Sequence, residues 1–526
     1  QNEYEAGFVR SLESLGGFSG RADRLNGYNI LLGDPGKVQW DLDRYTRVTP
    51  ADLLRTLKQY LDLYQRGIAH IVPHTASVAK AQDVDRSKAP GPSQEPSFNP
   101  PKFQRDKLSN GLQLLVVEDH KLPLVQMNVV IKSGFSSDPA NLPGTASLTA
   151  ELLDEGTKTR TALQIADEVK ALGAQLNTVS SFDGSQVILN VLKRNLAQGL
   201  NLMADIIQNP TFPKEELERQ RQMYLGYILQ ESKEPETSAR KVYLRTLFGP
   251  DHPYGQPFTG TGTVASVKAI QQENLIDYYK KNYFPNNAAV VVVGDITLEE
   301  AKQQLEKVFA NWKPGEVQTK EVPTPPAAQK TQLYLVDKPG AAQSMIFAGN
   351  LGIRRNDPDF VPTIVMNRAL GGKFSSRINM NLREDKGYTY GAGSGFMSTR
   401  GVGAFQVRAP VQTPNTKESI VEILKELRDV TDKRPLTEEE LADTKNDMLK
   451  GFPQQFQTFS DIAARLGEIF LYDLPDDEWQ RYMKKVSETT SDMTTTAAKS
   501  HIHPEGLVLV VIGDRAKIEP GLRELG

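Results

Sequence analysis

The chain has 526 residues, of which 39% are hydrophobic and 24% are charged, and this composition supports large buried cores and excludes global disorder. Sixty-two basic residues against 65 acidic ones give a net charge of −3, which lacks the basic excess typical of nucleic-acid binding. The absence of cysteine excludes disulfides, thiolate zinc sites and cysteine nucleophiles. The longest apolar runs, Ala288–Val293 and Leu507–Ile512, are too short to span a membrane and predict buried strands.

A repeat of about 220 residues organises the chain. In three places a polar residue (Thr49, Gln271 or Thr489) precedes a predicted helix that leads into a predicted strand. The three copies of this pattern are spaced by 222 and 218 residues. The predicted strands are Ile68–Val72, Val290–Gly294 and Val508–Ile512.

The repeat divides the chain into domains and linkers. Two complete copies fit residues 104–313 and 331–526, whereas residues 1–78 match only the last third of a further copy. The intervening stretches, 79–103 and 314–330, are rich in proline and predict extended linkers. We therefore expect that the chain begins inside a domain, and that a preceding polypeptide supplies the rest of that domain.

The predicted elements of the first complete copy mix the periods of strands and helices. Asn110-Gly111 is a turn signal, after which Leu112–Glu118 and Val125–Lys132 are predicted as hairpin strands. The helical segments that follow are Ser147–Leu153, Ala162–Leu172, Asn195–Gln208 and Pro213–Gln230, with Gln186–Leu192 as a strand between them. Because strands and helices do not alternate strictly, an α+β fold with an antiparallel sheet is favoured over a doubly wound parallel sheet.

The six histidines give little support for a metal site. His70 and His74 are separated by a proline, and His501 and His503 lie in a predicted turn, so neither pair can share a helix face. His252, in Asp-His-Pro-Tyr-Gly, is better explained as a residue that orders a turn. Neither a P-loop nor a strand-linked dinucleotide-binding motif is present, so nucleotide binding has no support.

The most distinctive segment begins at Gly371-Gly372 and predicts a helix that carries Arg383 in its last turn and stops at Gly387. Tyr390 then opens a glycine-rich stretch where backbone can approach a ligand. Arg383 and Tyr390 are therefore candidates for two donors that converge on one carbonyl oxygen. The alternative is that Arg383 pairs with a nearby carboxylate and Tyr390 packs in the core.

This segment, the turn at His252 and the strand and turn Asn287–Asp295 resemble the M16 (pitrilysin, mitochondrial processing peptidase-like) family of zinc metallopeptidases. The resemblance extends over nearly all of the chain outside the linkers. It implies repeated M16-type α+β domains of antiparallel sheet packed with helices, which together form half of a clamshell. In family terms residues 104–313 are similar to a third domain, 331–526 to a fourth, and 1–78 to the tail of a second.

The zinc motif of the family is His-x-x-Glu-His, in which the histidines bind the metal and the glutamate is the base. By comparison with this motif, the histidine positions hold Ser147 and Glu151, and the base position holds Ala150. The position of the distant glutamate ligand falls on Tyr227 or a neighbour. The resemblance therefore implies no zinc in this chain. A different metal site at Glu151, Asp154 and Glu155 is less favoured than a solvated helix face.

Arg383 and Tyr390 match the Arg/Tyr pair of the family in identity and spacing, and that pair is thought to reach the substrate backbone from the half without zinc. The resemblance implies a chain that is inactive alone and binds a peptide substrate next to a zinc-bearing half, which is either part of the same precursor or a separate chain. Similarity to bacterial two-half members implies a periplasmic or secreted location. The alternative is an inactive scaffold subunit, like the core proteins of respiratory complexes. The sequence upstream of this chain would discriminate between the two hypotheses, because a His-x-x-Glu-His motif there favours the peptidase over the scaffold subunit.

Overall fold

The structure of the chain is a computed structural model, which describes residues 1–17, 20–61, 98–317 and 321–525. Among the described residues, those between Glu3 and Pro100 form one compact unit and those from Pro101 onward form another. The predicted strand Ile68–Val72, together with His70 and His74, lies outside the described residues. Within the described parts of the chain, no helix is both long and apolar enough to cross a membrane.

The first unit contains four described helices. Thr49 caps the last of them through a capping box with Asp52, as the polar residue before the helix predicted. The helices are α1 (Asn2–Ser11), α2 (Arg21–Leu32), α3 (Val38–Thr46) and α4 (Pro50–Tyr60).

The second unit contains two sheets, and the first has the strand order β1-β2-β6-β3-β5-β4. Its strands are β1 (Gln104–Lys107), β2 (Gln113–Glu118), β3 (Leu124–Ile131), β4 (Gln175–Ser180), β5 (Ser185–Leu192) and β6 (Ala288–Gly294). The prediction that β2 and β3 form a hairpin is wrong, because β6 inserts between them, parallel to β2 and antiparallel to β3. The turn at Asn110-Gly111 instead joins the antiparallel strands β1 and β2.

The helices of the first repeat cover and connect this sheet. They are α5 (Thr145–Glu151), α6 (Ala162–Ala171), α7 (Leu196–Gln208), α8 (Lys214–Lys233), α9 (Pro235–Phe248), α10 (Val264–Ala269), α11 (Gln272–Asn282) and α12 (Leu298–Phe309). Four of them match the predicted helical segments to within a few residues.

The second sheet repeats the topology of the first. Its order is β7-β11-β8-β10-β9, which corresponds strand for strand to β2-β6-β3-β5-β4. The strands are β7 (Gln332–Asp337), β8 (Gln343–Leu351), β9 (Gly393–Phe396), β10 (Ala404–Gln412) and β11 (Val508–Gly513). The α+β class is confirmed, but each sheet is mixed and not purely antiparallel. In both sheets the last strand in the sequence, β6 or β11, returns to the interior of the sheet. There it lies parallel to β2 in the first sheet and to β7 in the second.

The helices of the second repeat are α13 (Phe360–Leu370), α14 (Arg377–Asn379), α15 (Thr416–Thr431), α16 (Glu438–Gly451), α17 (Phe459–Leu471), α18 (Glu478–Glu488), α19 (Ser491–His501) and α20 (Arg515–Arg523). Helix α16 begins with a capping box between Thr437 and Glu440. Helix α19 is capped by Thr490, one residue beyond the predicted Thr489.

The two repeats exchange one helix each. Helix α9 of the first repeat packs against β8 and β11 of the second sheet, and α17 of the second repeat packs against β3 and β6 of the first. Tyr243 on α9 is fully buried, and its hydroxyl donates to the carbonyl of Phe405 in the other repeat. Each sheet is therefore covered on one face by a helix that the other repeat supplies, and one hydrophobic core contains residues of both repeats.

Candidate functional site

The zinc-motif positions lie on the short helix α5. Ser147 and Ala150 are buried, and the N-terminus of the helix is held by Asp138, whose carboxylate accepts the amides of Gly144 and Ala146 at 2.7 Å each. Asp138 therefore occupies the free N–H groups at the beginning of α5. This anchoring fixes the place of the motif positions in the fold although their side chains are not those of the zinc motif.

The structure brings Glu151 to Tyr224 and not to Tyr227. Tyr224 is buried on α8 and lies beside the Glu151 carboxylate. Burial, followed by the charge of Glu151, raises the pKa of Tyr224 well above its usual value. Tyr227 lies one turn further along α8 and is 43% exposed. The comparison with the family motif located the position of the distant glutamate ligand only as Tyr227 or a neighbour. Of these residues, Tyr224 is the one that lies beside Glu151.

The side chains at these positions do not fit a zinc ion. Ser147 offers a neutral hydroxyl, Ala150 offers a methyl group, and the Glu151 carboxylate is engaged by a phenol that keeps its proton. Among the described residues there is no group of three or more His, Asp or Glu side chains that could hold a metal ion. No step of metal chemistry is therefore assigned to this chain.

The carboxylates at the end of α5 are half-buried, so the expectation of a solvated face is wrong for them. Burial, together with repulsion from Glu155, raises the pKa of Asp154 to about 7. Burial also raises the pKa of Glu151. Glu155 forms an ion pair with Arg219 of α8. The first repeat thus uses these acids to join α5 to α8.

Arg383 lies in a π-helical turn. Helix α14 continues directly into this turn, Met380–Asp385, which differs from the regular α-helix that the sequence predicted. Gly387, with φ of +67°, ends the segment as expected, and the amide of Tyr388 donates to the carbonyl of Leu382 at 2.8 Å. Single π-helical turns are frequent at functional sites, where they redirect a side chain.

Arg383 and Tyr390 both reach solvent. The guanidinium of Arg383 lies 4.6 Å from the centre of the Phe374 ring, and its Nε is 3.2 Å from a carboxylate oxygen of Glu384, a partly exposed neighbour. Tyr390 is 88% exposed, so the alternative that it packs in the core is wrong. Because the Arg383–Glu384 pair is partly exposed, it is screened by water and leaves guanidinium donors free for a ligand.

The backbone around Tyr390 is held on both sides. Before it, the hydroxyl of Thr389 donates to the carbonyl of Pro410, and after it the amide of Ala392 donates to Oδ1 of Asn379 at 3.1 Å. The strand β9 that follows packs closely against Gly371, the first residue of the Gly371-Gly372 pair. The amide of Ser394 donates to the carbonyl of Gly371 at 2.9 Å, and a side chain at Gly371 would lie 2.2 Å from Ser394 Oγ. Sequence comparison missed Asn379, because an asparagine inside a helix carries no local signal of a long-range bridge.

His252 orders a turn, as predicted. Its Nδ1 accepts the amide of Tyr254 at 3.0 Å, and its Nε2 lies 2.8 Å from the carbonyl of Pro323 in the stretch between the repeats.

The histidine pair near the C-terminus makes different contacts. His501 lies 3.8 Å from the Asp359 carboxylate, and burial lowers the pKa of His503.

Comparison with known proteins identifies relatives of this chain. The non-peptidase homolog YmxG of Helicobacter pylori is 23% identical over 403 residues, which are 76% of this chain and 91% of the relative. An uncharacterized zinc protease of Rickettsia bellii is 27% identical over 294 residues, which are 56% of this chain and 69% of the relative.

Two solved structures share the fold of most of this chain. A peptidase M16 inactive domain from Pseudomonas fluorescens matches with a TM-score of 0.73 and 25% identity, over 78% of this chain and 98% of that one. The first half of the periplasmic protease PqqL from Escherichia coli matches with a TM-score of 0.66 and 17% identity, over 81% of this chain and 98% of that one.

Two family profiles match the chain in succession. The profile described as insulinase (peptidase family M16) matches residues 114–261. The profile described as the peptidase M16 inactive domain matches residues 269–448, which include Arg383 and Tyr390. With the duplicated sheets and the relatives above, these matches show that the chain belongs to peptidase family M16.

Proposed function

We propose that this chain is the half of an M16 metalloendopeptidase that does not bind zinc. In this proposal Arg383 and Tyr390 bind the backbone of a peptide substrate, and a zinc-bearing half carries out the hydrolysis. The observation that carries the proposal is a contrast between the two repeats. The first repeat has no zinc ligands at the motif positions, whereas the second presents two donors that reach solvent, with the backbone next to Tyr390 anchored at Thr389 and Ala392.

The chemistry of the two side chains suits a carbonyl oxygen. A guanidinium and a phenol hydroxyl are both donors, and a peptide carbonyl gains negative charge as it becomes tetrahedral. Donors that are held in place before the reaction stabilise that charge without reorganising. We therefore assign Arg383 and Tyr390 to transition-state stabilisation, with a contribution to kcat larger than their contribution to substrate affinity.

The first unit suggests how the zinc-bearing half binds. Leu53 on α4 is 58% exposed, whereas its counterpart Leu275 on α11, one repeat spacing later, is fully buried in a helix that packs against α5. Leu54 and Leu57 are exposed on the same helix. We infer that the zinc-bearing half covers this apolar face of α4 with its own counterpart of α5. A periplasmic or secreted location is also proposed, since the similar PqqL half is described as periplasmic.

A second candidate function is that of a non-peptidase structural subunit. The similarity to the non-peptidase homolog of Helicobacter pylori and the loss of the zinc ligands support it. A structural subunit has no need for two exposed donors, so the effect of substituting them discriminates between the two functions.

The experiment is a comparison of Tyr390→Phe with Tyr227→Phe in the assembled peptidase. Both tyrosines are exposed, and each substitution removes only a hydroxyl. We expect Tyr390→Phe to lower kcat by roughly 10²- to 10³-fold, the usual effect of losing one such donor, and Tyr227→Phe to leave kcat unchanged. An unchanged kcat in a folded Tyr390→Phe enzyme would reject the proposed function.

A further inference from the structure

One buried amide connects the loop whose Phe374 ring contacts Arg383 to the segment that follows Tyr390. Asn379 is 4% exposed at the end of α14. Its Nδ2 donates to the carbonyl of Phe374 at 2.7 Å, and its Oδ1 accepts the amide of Ala392 at 3.1 Å. The side chain therefore connects the loop before the helix to the segment after it.

The first of these bonds supports Arg383. The guanidinium of Arg383 lies against the ring of Phe374, with Cζ 4.6 Å from the ring centre. This ring is largely exposed, so the backbone of its loop largely determines where it lies. Asn379 fixes the carbonyl of that loop, and therefore the surface on which the guanidinium rests. Arg383 itself lies only one turn further along the same helical segment.

The second bond supports Tyr390. Because Tyr390 is 88% exposed, few of its own atoms are packed, and its position depends on the backbone on either side. Thr389 anchors that backbone on one side through its bond to Pro410, and the bond from Ala392 to Asn379 anchors it on the other. Loss of the Asn379 bond would release the segment between Tyr390 and β9.

We propose that Asn379 is a positioning residue that sets the spacing of the Arg383 and Tyr390 donors. This inference rests on the proposed function, because it concerns the same pair. The role requires an amide, since one planar group must donate to Phe374 and accept from Ala392. An aspartate has nearly the same shape and keeps the acceptor, but it presents an oxygen to the Phe374 carbonyl, where the two acceptors repel.

The chain offers a matched control in Asn350. This asparagine is also buried in the second repeat, where its Nδ2 donates to the carbonyl of His501 at 2.9 Å and its Oδ1 accepts the amide of His503 at 3.0 Å. Its two bonds join β8 to the segment of His501 and His503, and neither β8 nor that segment carries Arg383 or Tyr390. Asn350→Asp therefore reports the effect of losing a buried bridge without displacing the donors.

The first test measures turnover in the assembled peptidase. We expect Asn379→Asp to lower kcat roughly 10- to 100-fold with KM changed by less than about threefold, because a small displacement of a catalytic group has effects of that size. Asn350→Asp should leave kcat unchanged. In a Tyr390→Phe background, Asn379→Asp should have much less effect, since one of the donors that it positions is already lost.

The outcomes separate this inference from the proposed function. If Tyr390→Phe lowers kcat but Asn379→Asp behaves like Asn350→Asp, or if the effects of Asn379→Asp and Tyr390→Phe are fully additive, the positioning role is rejected and the proposed function stands. If Tyr390→Phe itself has no effect on kcat, the proposed function fails.

The second test needs no partner and no activity. 4-Trifluoromethylphenylalanine is introduced at position 390 of the full chain, and its single fluorine NMR signal is recorded with and without each asparagine substitution. We expect Asn379→Asp to shift or broaden this signal and Asn350→Asp to leave it unchanged. An unchanged signal in a folded Asn379→Asp protein would overturn the inference.

Discussion

The hydroxyl of Tyr254 donates to the carboxylate of Asp183 at 2.8 Å, and the two residues lie where the repeats meet. The same hydroxyl accepts the amide of Gly401 at 2.9 Å. Asp183 belongs to the turn between β4 and β5, and Gly401 to the corresponding turn between β9 and β10. One buried phenol therefore ties the equivalent turns of both sheets to the His-Pro-Tyr-Gly segment.

We predict that Tyr254→Phe destabilises the protein by about 1–3 kcal/mol, because it leaves the buried Asp183 carboxylate and the Gly401 amide without this partner. Unfolding in urea, followed by circular dichroism, measures the loss. Tyr334→Phe, at an exposed tyrosine of β7, is the control and should have little effect. Equal stability of the two variants would contradict the proposed contribution of this hydroxyl.

Asp154→Asn should stabilise the protein at high pH. Burial raises the pKa of Asp154 from 3.8 to about 7 in the folded state, so the folded state favours the protonated form and loses stability as the pH rises toward 7. The substitution removes the cost of a buried charge, by about 1–3 kcal/mol at pH 8 and by little at pH 4. Thermal melting from pH 4 to 8 tests this, with Asp167→Asn as an exposed control. A pH-independent difference would be evidence against it.

Glu440→Gln should have the opposite pH dependence. Burial acts to raise the pKa of Glu440, but the hydrogen bonds from Arg377 and from the Thr437 backbone outweigh it and lower the pKa from 4.5 to about 2. The contribution of this carboxylate is therefore complete above pH 4.5 and lost as the pH falls toward 2. We expect a loss of about 1.5–3 kcal/mol at pH 7 that shrinks below pH 4.5. Denaturant titrations at pH 7 and pH 3 measure the difference.

The purified chain is predicted to bind no zinc. Its motif positions hold Ser147, Ala150 and Glu151, and the carboxylate of the last lies beside the phenol of Tyr224. Elemental analysis by mass spectrometry, before and after treatment with a chelator, measures the zinc content. Stoichiometric zinc that the chelator removes would show that other residues form a site.

The apolar face of α4 should be required for assembly. We predict that Leu53→Glu/Leu57→Glu weakens association with the zinc-bearing half, since charged side chains cannot be buried in an apolar contact. Leu163→Glu, at an exposed leucine of α6, is the control and should assemble normally. Size-exclusion chromatography with light scattering on the co-expressed halves shows the result. Normal assembly of the double variant would mean that the partner binds elsewhere.

Several features of this protein follow from its sequence by itself. The capping boxes at Thr49 and Thr437, the stop at Gly387 and the helices of the first repeat depend on contacts between residues a few positions apart. Such contacts leave a pattern in the local sequence. The helix-and-strand pattern that recurs about every 220 residues also predicted that the two sheets share one topology, because similar sequences adopt similar folds. Arg383 and Tyr390 remain a prediction, which depends on their place in one segment and on their match to the Arg/Tyr pair of the family.

Other features depend on residues that are far apart in the chain. The insertion of β6 between β2 and β3 brings together strands more than 150 residues apart, and each of these apolar strands could pair equally well with a different neighbour. The bridge made by Asn379 and the contact of Glu151 with Tyr224 also arise only when separate segments pack. Polar side chains of this kind look the same in a sequence whether they face water or a buried partner. Only the tertiary structure decides their partners, because burial is a property of the packed chain and not of any local segment.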